Sequence, residues 1–485
     1  MSTNNNSLIR ILPGESYTPF ALAKKLNARV LLESSSYTKG RERYSLLLVR
    51  EAFLLEQTDE GVFMSSEAGG AGNGGRGSGG DTERKRKRVR SKARDILDVQ
   101  RYFADQHTQP HQDFPYPAGG VGFLSYEFAQ FCDSLQFRDK PDPLGLPLAA
   151  FLFGHVFVVF DHYTDLLYLL GMNYREHEVD LQAALDEVES SITDLNFNYL
   201  QHSEEQYTAV SQEAPEARAK FCAGVERLKD EIRRGNLLQG VLSRRLYVET
   251  DLPALEAYRR LRTANPSPYL FYLNFGEYEM FGSSPEVHIK VRDNEVCIRP
   301  IAGTRRRGET REQDIALEKE LLADPKERAE HLMLVDLARN DIGRVCRSGS
   351  VAVSDYMTIE MYSHVMHIVS EARGQLDKGK SGIDAVRATF PAGTVSGAPK
   401  ISAMQKLDEL EPEARRFYAG LVGYLEPGGN LDTCITIRSA LKKDGKMVLQ
   451  AGAGVVYDSV PEREWEETGE KLGALARAVG LEVNA

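Results

Sequence analysis

The chain has 485 residues, of which 42% are hydrophobic and 27% charged, and its net charge is −11. This length is ample for a large core, and the acidic balance argues against general nucleic-acid binding. No apolar run approaches the roughly 18 residues of a membrane span, and the polar N-terminus does not resemble a secretory signal. The five cysteines are odd in number and contain no Cys-x-x-Cys pair, so neither zinc nor a disulfide framework is indicated. We therefore expect a cytoplasmic protein that binds neither nucleic acid nor a membrane.

The first 100 residues combine strand-like runs with an unusual insert. Apolar, β-favouring content predicts strands at Arg29–Ser34 and Tyr44–Arg50. Residues 65–80 are nearly all Gly, Ser, Ala and Asn, which predicts a flexible loop. The basic run Arg84–Arg94 is typical either of a nuclear-localisation or nucleic-acid patch or of a solvated linker that enters a helix ending near Gln106. Because the rest of the chain is acidic, we favour the linker.

Residues 119–195 predict buried strands followed by a helix. Strands are expected at Gly119–Glu127, Ala149–Phe160 and Asp165–Gly171, the last two as a hairpin, and a helix at Leu181–Leu195. A seam between two parts of the fold is expected near 202–206.

Helices and strands alternate irregularly from residue 206 onward. This texture predicts an α+β fold with antiparallel sheets. The predicted helices and strands of this stretch are 216–234 and 254–264, and 237–249, 269–275, 279–282, 287–291 and 295–298.

Two further helices each carry a pair of carboxylates. Asp324 is a predicted N-cap, and Glu327 and Glu330 lie three residues apart on the helix that follows. Glu464 and Glu467 repeat this spacing near the C-terminus. Such pairs could hold Mg²⁺, which prefers oxygen ligands, although the spacing alone favours solvated helix faces. In the first helix we expect these residues to be buried: Leu332, Val335 and Leu337.

Three other runs are candidates for chemistry. Tyr362–Ser370 is strand-like, with His364 and Met366 on one face and Val365 and His367 on the other. Phe390–Lys400 is rich in glycine and precedes a helix, which is typical either of an anion site or of an ordinary capped loop. Three strands are expected next, at 420–424, 434–440 and 448–457. Arg438 lies within the second and would pair with a substrate carboxylate.

These runs together resemble the chorismate-utilising enzymes over roughly residues 206–479. The resemblance rests on Pro300–Thr304, Glu330–Asp341, Ser363–Ser370, Phe390–Lys400, Arg438 and Glu464–Lys471. It implies two packed antiparallel sheets flanked by helices, with the substrate bound between the sheets.

Two positions indicate a branch within that family. Gln239 stands where isochorismate and salicylate enzymes have a lysine that activates water, and Ala302 stands where aminodeoxychorismate synthases commonly have a nucleophilic lysine. The chain is in these respects similar to the large subunits of anthranilate synthases, lyases that convert chorismate and ammonia to anthranilate and pyruvate. An aminodeoxychorismate or 2-amino-2-deoxyisochorismate synthase, or a non-catalytic chorismate or tryptophan sensor, stays open as an alternative.

The resemblance implies a role for each matching residue. Glu330 and Glu467 would bind Mg²⁺, with Glu327 and Glu464 nearby through water, while His367 would serve as acid or base. The residues that would line the substrate site are Thr394, Gly303, Thr304, Tyr418, Arg438, Gly452, Ala453, Gly454 and Lys471.

The resemblance also implies regulation and a partner. Glu33 and Ser34, with Pro268 and Tyr269, match the stretches that bind feedback tryptophan, and both are expected at the edge of one sheet. No cysteine lies in a Gly-x-Cys-x-Gly turn, so glutamine would be used only through a glutamine amidotransferase subunit in a hetero-oligomer. We expect residues 1–205 to form the regulatory part and 206–485 the catalytic part, intertwined with each other.

Overall fold

The computed structural model of the chain describes residues 6–36, 40–41, 43–67, 84–90, 92–109, 114–194, 196–197, 206–362 and 365–481. Most of the predicted loop at 65–80, the seam near 202–206 and the predicted orientation of His364 fall outside these residues. Within them, no helix is both long enough and apolar enough to cross a membrane.

Ten α-helices are present in the described part of the chain. They are α1 (Pro19–Lys25), α2 (Ile96–Ala104), α3 (Leu181–Thr193), α4 (Ala217–Arg233), α5 (Ala254–Ala264), α6 (Arg311–Ala323), α7 (Pro325–Gly343), α8 (Gly382–Thr389), α9 (Lys400–Leu410) and α10 (Pro461–Ala478). The predicted N-cap of α7 is confirmed, because the Asp324 carboxylate accepts the backbone N–H groups of Lys326 and Glu327.

The strands of the first half of the chain include two long ones. They are β1 (Ser7–Pro13), β2 (Val30–Glu33), β3 (Ser35–Ser36), β4 (Gly40–Arg41), β5 (Tyr44–Thr58), β6 (Gly61–Glu67), β7 (Arg84–Arg88), β8 (Val121–Leu124), β9 (Ala149–Asp161), β10 (Leu166–Met172) and β11 (Ala209–Ser211).

The remaining strands come from the second half. They are β12 (Gln239–Thr250), β13 (Tyr269–Asn274), β14 (Glu279–Ser284), β15 (Val287–Arg292), β16 (Glu295–Ile298), β17 (Ile301–Arg306), β18 (Ala352–Met361), β19 (Val365–Gln375), β20 (Gly397–Ala398), β21 (Leu421–Leu425), β22 (Leu431–Ile435), β23 (Ser439–Lys443) and β24 (Lys446–Val455).

The pairings form one continuous antiparallel network in which two sheets share β5 and β9. The first sheet runs β1-β10-β9-β5-β2-β13-β14-β23-β24-β12-β11. The second runs β7-β6-β5-β9-β8-β21-β22-β15-β16-β19, and β19 also pairs with β17 and β18. The β5–β9 register shifts between Leu48 and Phe53, and such bulges bend a strand. One long strand pair therefore turns from one sheet into the other.

The sheets divide the buried side chains into two large cores. One core joins residues of the first sheet, such as Phe271 and Leu273, to residues of the second, such as Val121 and Phe123. The other packs the first sheet against helices α1, α3, α5 and α10. The α+β class with packed antiparallel sheets is confirmed, and residues on both sides of 205 contribute strands to both sheets.

Two sequence expectations about local structure are wrong. Arg84–Arg88 is not a linker but strand β7, because it pairs with Phe63–Glu67 and the Arg86 guanidinium stacks over the Phe63 ring at 3.9 Å. Leu332 is not buried: its side chain is 44% exposed, whereas Val335 is 2% exposed.

Candidate active site

His367 lies on β19 between two neighbouring strands that flank its side chain. Thr304 of β17 is its cross-strand partner on one side and Glu360 of β18 on the other. Its Nδ1 lies 3.1 Å from the Thr304 hydroxyl and 3.1 Å from the Gly303 carbonyl oxygen. The bond to the carbonyl fixes Nδ1 as the protonated nitrogen, because a carbonyl only accepts. Nε2 is left as the atom able to take a proton.

The opposite face of β19 holds this strand in the core. Met366 and Ile368, on either side of His367, are fully buried with Leu321 and Met357. Burial lowers the pKa of His367, an effect that Arg438 adds to and that the Gly303 carbonyl and Glu360 oppose. The imidazole is consequently neutral near pH 7, as a proton acceptor must be.

The four predicted metal carboxylates lie on α7 and α10, and Glu467 of α10 lies close enough to Glu330 of α7 to influence it. Burial raises the pKa of Glu330, and the nearby Glu327 and Glu467 carboxylates raise it further. Burial likewise raises the pKa of Glu464, with Glu467 adding to the effect. The fold thus gathers like charges from two distant segments, which indicates more than solvated helix faces.

Two of these carboxylates already have a cation beside them. The Glu467 Oε1 atom lies 2.6 Å from the Lys471 ammonium, and Glu327 Oε1 lies 3.1 Å from the Arg305 guanidinium. Glu330 instead accepts a long, 3.5 Å hydrogen bond from the Gln239 amide. Among the residues that the structure describes, no three His, Cys, Asp or Glu side chains stand close enough to form a ready metal site.

Arg438 lies at a turn rather than within a strand, which corrects the sequence expectation. Strand β22 ends at Ile435 and β23 begins at Ser439. Arg438 lies between them with a φ of +50°. Because β22 pairs within the second sheet and β23 within the first, this turn carries Arg438 across the gap between them. Burial lowers the pKa of Arg438, and Tyr418, Glu467 and Glu286 raise it. Its guanidinium is therefore close to Tyr418 and to the carboxylates.

The backbone of β24 forms another wall of the same space. Lys471 donates to the Gly452 carbonyl at 2.8 Å. A Cβ atom on Gly452 would approach the Tyr418 hydroxyl to 2.9 Å, and one on Gly454 would approach the Gln239 amide nitrogen to 2.7 Å. Both glycines are needed to leave this room. Ala453 points its side chain into a separate core, so only its backbone can face a ligand.

Glu286 is a site residue that the sequence reasoning missed. It is 7% exposed, and burial raises its pKa to about 7, while Thr394, Arg438 and Lys471 oppose that rise. The buried Thr394 hydroxyl makes no hydrogen bond of standard geometry in the described residues, although it lies close enough to influence Glu286. The signal was available, because an acid between Pro285 and Val287 that joins two buried strands has little chance of reaching solvent.

The glycine-rich run Phe390–Lys400 does not offer its lysine to a free anion. The Lys400 ammonium lies 2.7 Å from the Asp341 carboxylate and donates to the Thr389 carbonyl at 2.9 Å. It joins α9 to the end of α7 and leaves Thr394 as the residue of this run that reaches the site.

The four predicted tryptophan-site residues line a separate cavity of about 1500 Å³ between the two sheets. Glu33 and Leu270 are cross-strand partners, and the Ser35 N–H donates to the Ser267 carbonyl, so the two stretches are neighbours. They are not at a sheet edge, because β2 lies between β5 and β13. The Glu33 carboxylate is held by Tyr258 at 2.7 Å and Arg262 at 2.8 Å, so a ligand ammonium would compete with Arg262 for it.

The same fold and the same ordered motifs occur in known proteins. The profile of the chorismate binding enzymes matches residues 52–477. The chain belongs to the chorismate-binding enzyme family. This match confirms the resemblance that the motifs predicted, and it begins well before residue 206.

Two curated proteins similar to the chain share one description. The anthranilate synthase component 1 of Spirochaeta aurantia is 57% identical over 479 residues, which cover 98% of this chain and 96% of that protein. That of Acetivibrio thermocellus is 45% identical over 370 residues, 74% of this chain and 75% of the other.

Solved structures agree with these relatives. Anthranilate synthase component I from Streptococcus pneumoniae superposes with a TM-score of 0.77 at 33% identity, over 90% of this chain and 92% of that one. The menaquinone-specific isochorismate synthase from Escherichia coli has a TM-score of 0.72 at 19% identity, over 98% and 94% of the two chains. The latter likeness shows the fold alone.

Proposed function

We propose that the chain is the large subunit of an anthranilate synthase, which converts chorismate and ammonia to anthranilate, pyruvate and water in tryptophan biosynthesis. Its full-length similarity to proteins of that description supports the proposal. The observation in the site that carries it is the position of Gln239, whose amide lies beside Glu330 and Gly454. An amide cannot act as a base toward water, and Ala302 offers no nucleophile, so the amine that attacks the ring must come from ammonia.

The carboxylates of α7 and α10 fit a bound Mg²⁺. All are oxygen donors, and the repulsion that raises the pKa of Glu330 would be relieved by a cation. Glu330 and Glu467 would hold the ion, with Glu327 and Glu464 close by. When bound, Mg²⁺ supplies positive charge for the ring carboxylate of chorismate.

The positive charge of Arg438 suits the second substrate carboxylate. Arg438 and Tyr418 lie close enough to shift each other's pKa, and burial raises the pKa of Tyr418 to about 12. A guanidinium and a phenol that keeps its proton would both donate to the enolpyruvyl carboxylate. The backbone around Gly303, Thr304, Gly452 and Gly454 would then enclose the ring, with Lys471 beside it.

Glu286 and His367 both have shifted pKa values, and they suit proton transfers in opposite directions at the chorismate ring. Glu286 is about half protonated near pH 7 and would donate a proton to the departing ring hydroxyl as ammonia adds. His367 is neutral and would accept the ring proton as the enolpyruvyl group leaves as pyruvate. This division of roles refines the expectation that His367 serves as acid or base, because the pKa of each group is shifted toward its task.

The cysteines support a requirement for a separate glutaminase subunit. A glutaminase nucleophile needs a thiol whose pKa is lowered, whereas burial raises the pKa of all five cysteines in this chain. We propose that a glutamine amidotransferase subunit supplies ammonia in the complex and that tryptophan inhibits the enzyme from the 1500 Å³ cavity.

The amine source and the product test the proposal together. The purified chain should form anthranilate from chorismate, Mg²⁺ and ammonium, but not when glutamine replaces ammonium. Formation of isochorismate, or of an aminated ring that keeps its enolpyruvyl group, would contradict the assignment. Turnover with glutamine alone would contradict the need for a partner subunit.

A further inference from the structure

Three contacting side chains, Arg299, Glu360 and Tyr362, connect the wall of the 1500 Å³ cavity to His367. Glu360 and His367 stand opposite each other on β18 and β19. Tyr362, two residues after Glu360, donates its hydroxyl to the Glu360 carboxylate at 2.9 Å, and its ring meets the His367 ring edge-on at 5.4 Å between centroids. Arg299 holds the other Glu360 oxygen. None of these three residues belongs to the substrate, metal or tryptophan sets assigned above.

We propose that Glu360 and Tyr362 are positioning residues for His367, and that Arg299 fixes Glu360 for this task. The inference rests on the proposed function for its catalytic meaning, but its geometry does not depend on it. Directly opposed residues on neighbouring antiparallel strands have side chains on the same face, within reach of each other. Thr304 contacts His367 from β17 in the same way, so the imidazole is restrained from both sides.

The restraint has a geometric reason. The Gly303 carbonyl and the Thr304 hydroxyl both lie near Nδ1, so they hold the imidazole at one ring atom. The Tyr362 ring packs edge-on against the imidazole as a further contact, and its hydroxyl is anchored by the bond to Glu360. A proton acceptor misplaced by about 1 Å loses about 100-fold in rate.

Glu360 also influences the pKa of His367 through its negative charge. The charged groups that influence His367 are Arg438, which lowers its pKa, and Glu360, which raises it. Glu360 in turn raises the pKa of Tyr362, although burial is the larger cause there, so the phenol keeps the proton that it donates. Removing the Glu360 charge would leave only the Gly303 carbonyl to oppose the effects of burial and of Arg438, and the imidazole would then be harder to protonate.

The same cavity wall provides a matched control. Glu295 pairs with Arg373 at 2.6 Å, and Arg373 belongs to the same cluster because it and Arg299 both contact Glu371. Glu295 lies on β16, and the described structure gives it no contact with Tyr362 or His367. Glu295→Gln therefore removes the charged partner of Arg373 and leaves the contacts among Glu360, Tyr362 and His367 in place.

The first test measures the histidine itself, without substrate. The titration of the ring C–H resonances is followed by NMR in the wild-type chain, Glu360→Gln and Glu295→Gln, and His367 is assigned by its absence in His367→Gln. The His367 midpoint should move to lower pH in Glu360→Gln and stay at the wild-type value in Glu295→Gln. An unchanged midpoint in Glu360→Gln would overturn the proposal.

The second test measures turnover with ammonia. Glu360→Gln and Tyr362→Phe should each lower kcat by about tenfold or more while KM for chorismate changes little, since positioning acts on the reaction and not on binding. Tyr362→Phe keeps the ring and the fold, so it remains informative if Glu360→Gln is poorly folded. A kcat equal to wild type in Tyr362→Phe, or an equal loss in Glu295→Gln, would overturn the proposal. Absence of anthranilate in the wild type would instead refute the proposed function and leave the NMR test standing.

Discussion

Among the described residues, two of the four carboxylates have a cation within salt-bridge distance, and Glu330 and Glu464 do not. Lys471 balances Glu467 and Arg305 balances Glu327, while the pKa of Glu330 is raised by burial and by both of those neighbours. Glu330 is therefore the glutamate whose raised pKa the proposed Mg²⁺ would relieve, even though the four glutamates have the same sequence spacing.

Glu330→Gln and Glu467→Gln should each lower kcat/KM by more than about 100-fold while the fold survives, because glutamine keeps the shape but loses the charge that binds the ion. Steady-state assays over a Mg²⁺ titration, with circular dichroism as the folding check, measure this. Glu462→Gln, an exposed position on the same helix as Glu467, is the control and should behave as wild type. Near-normal turnover in Glu330→Gln would remove it from the metal site.

The second prediction at this scale concerns pH. The pKa of Glu286 is raised to about 7, so the proton that it donates is present below that pH and is lost as the pH rises through it. At constant free ammonia, kcat/KM for chorismate, which reports the free enzyme, should fall about tenfold for each pH unit on the alkaline side. Glu286→Gln should lose most activity, and whatever remains should lack this alkaline limb. An unchanged alkaline limb in Glu286→Gln would assign the proton donor elsewhere.

At the scale of the element, the pairing of β6 with β7 gives the basic run Arg84–Arg88 a structural role. Its first two residues differ in environment: Arg84 is half-buried and pairs with Glu51 at 3.1 Å, whereas Lys85 is exposed. Glu51 is 9% exposed in its side chain and also pairs with Arg29 at 3.0 Å. The sequence composition alone could not distinguish Arg84 from Lys85, because their side chains point to opposite faces only when the run forms a strand.

Arg84→Ala should lower the free energy of unfolding by about 1–2 kcal/mol, since it removes one of two partners from a mostly buried carboxylate. Lys85→Ala, one residue away on the exposed face, should change it by less than about 0.5 kcal/mol. Urea unfolding of both variants measures the difference. Equal effects at the two positions would contradict the assignment of Arg84–Arg88 to a paired strand.

The sequence predicts helices better than it predicts the turns between strands. Long periodic segments such as the helices at 254–264 and 325–343 were found, because local pattern determines them. The sequence predicts Arg438 within a strand because Cys434–Ile437, just before it, is rich in β-favouring residues. Its positive φ arises where the chain passes from one sheet to the other, which is a tertiary constraint. Leu332 was expected in the core, but α7 presents that face to solvent in the described structure.

The chemistry of the site could be anticipated only in part for the same reason. Motif resemblance supplied Glu330, Glu467, His367 and Arg438, and the fold brings these regions together. Glu286 carries no motif spacing of its own, and its pKa depends on burial between strands that are remote in sequence. The contacts of Glu360 and Tyr362 with His367 likewise depend on the β18–β19 register, which no local pattern specifies.

At the scale of the whole molecule, the two sheets enclose two different spaces. One is the site lined by Arg438, His367 and the paired carboxylates, and the other is the cavity of about 1500 Å³ that reaches from Ser34 to Glu360 and Tyr362. The side chains of Glu360 and Tyr362 border both, so a ligand in the cavity would lie against the residues that restrain His367. A ligand there inhibits only if it binds the less active arrangement more tightly.

Tryptophan should accordingly inhibit the wild-type chain, and Ser34→Phe should relieve that inhibition because a large ring would occupy the end of the cavity where Ser34 lies. Chorismate titrations at several tryptophan concentrations measure this. Glu462→Gln, exposed on α10 and outside the lining of this cavity, is the control and should retain wild-type sensitivity. A wild type indifferent to millimolar tryptophan, or a Ser34→Phe variant as sensitive as wild type, would contradict this site.

The central claim is that this single chain both aminates the ring of chorismate and eliminates pyruvate from it. The most direct measurement supplies the purified chain with chorismate, Mg²⁺ and ¹⁵N-labelled ammonium and quantifies both products by mass spectrometry as chorismate is consumed. The account predicts equal amounts of ¹⁵N-anthranilate and pyruvate, each matching the chorismate lost. Consumption of chorismate with a labelled aminated ring but without pyruvate, or with pyruvate but without label, would contradict it.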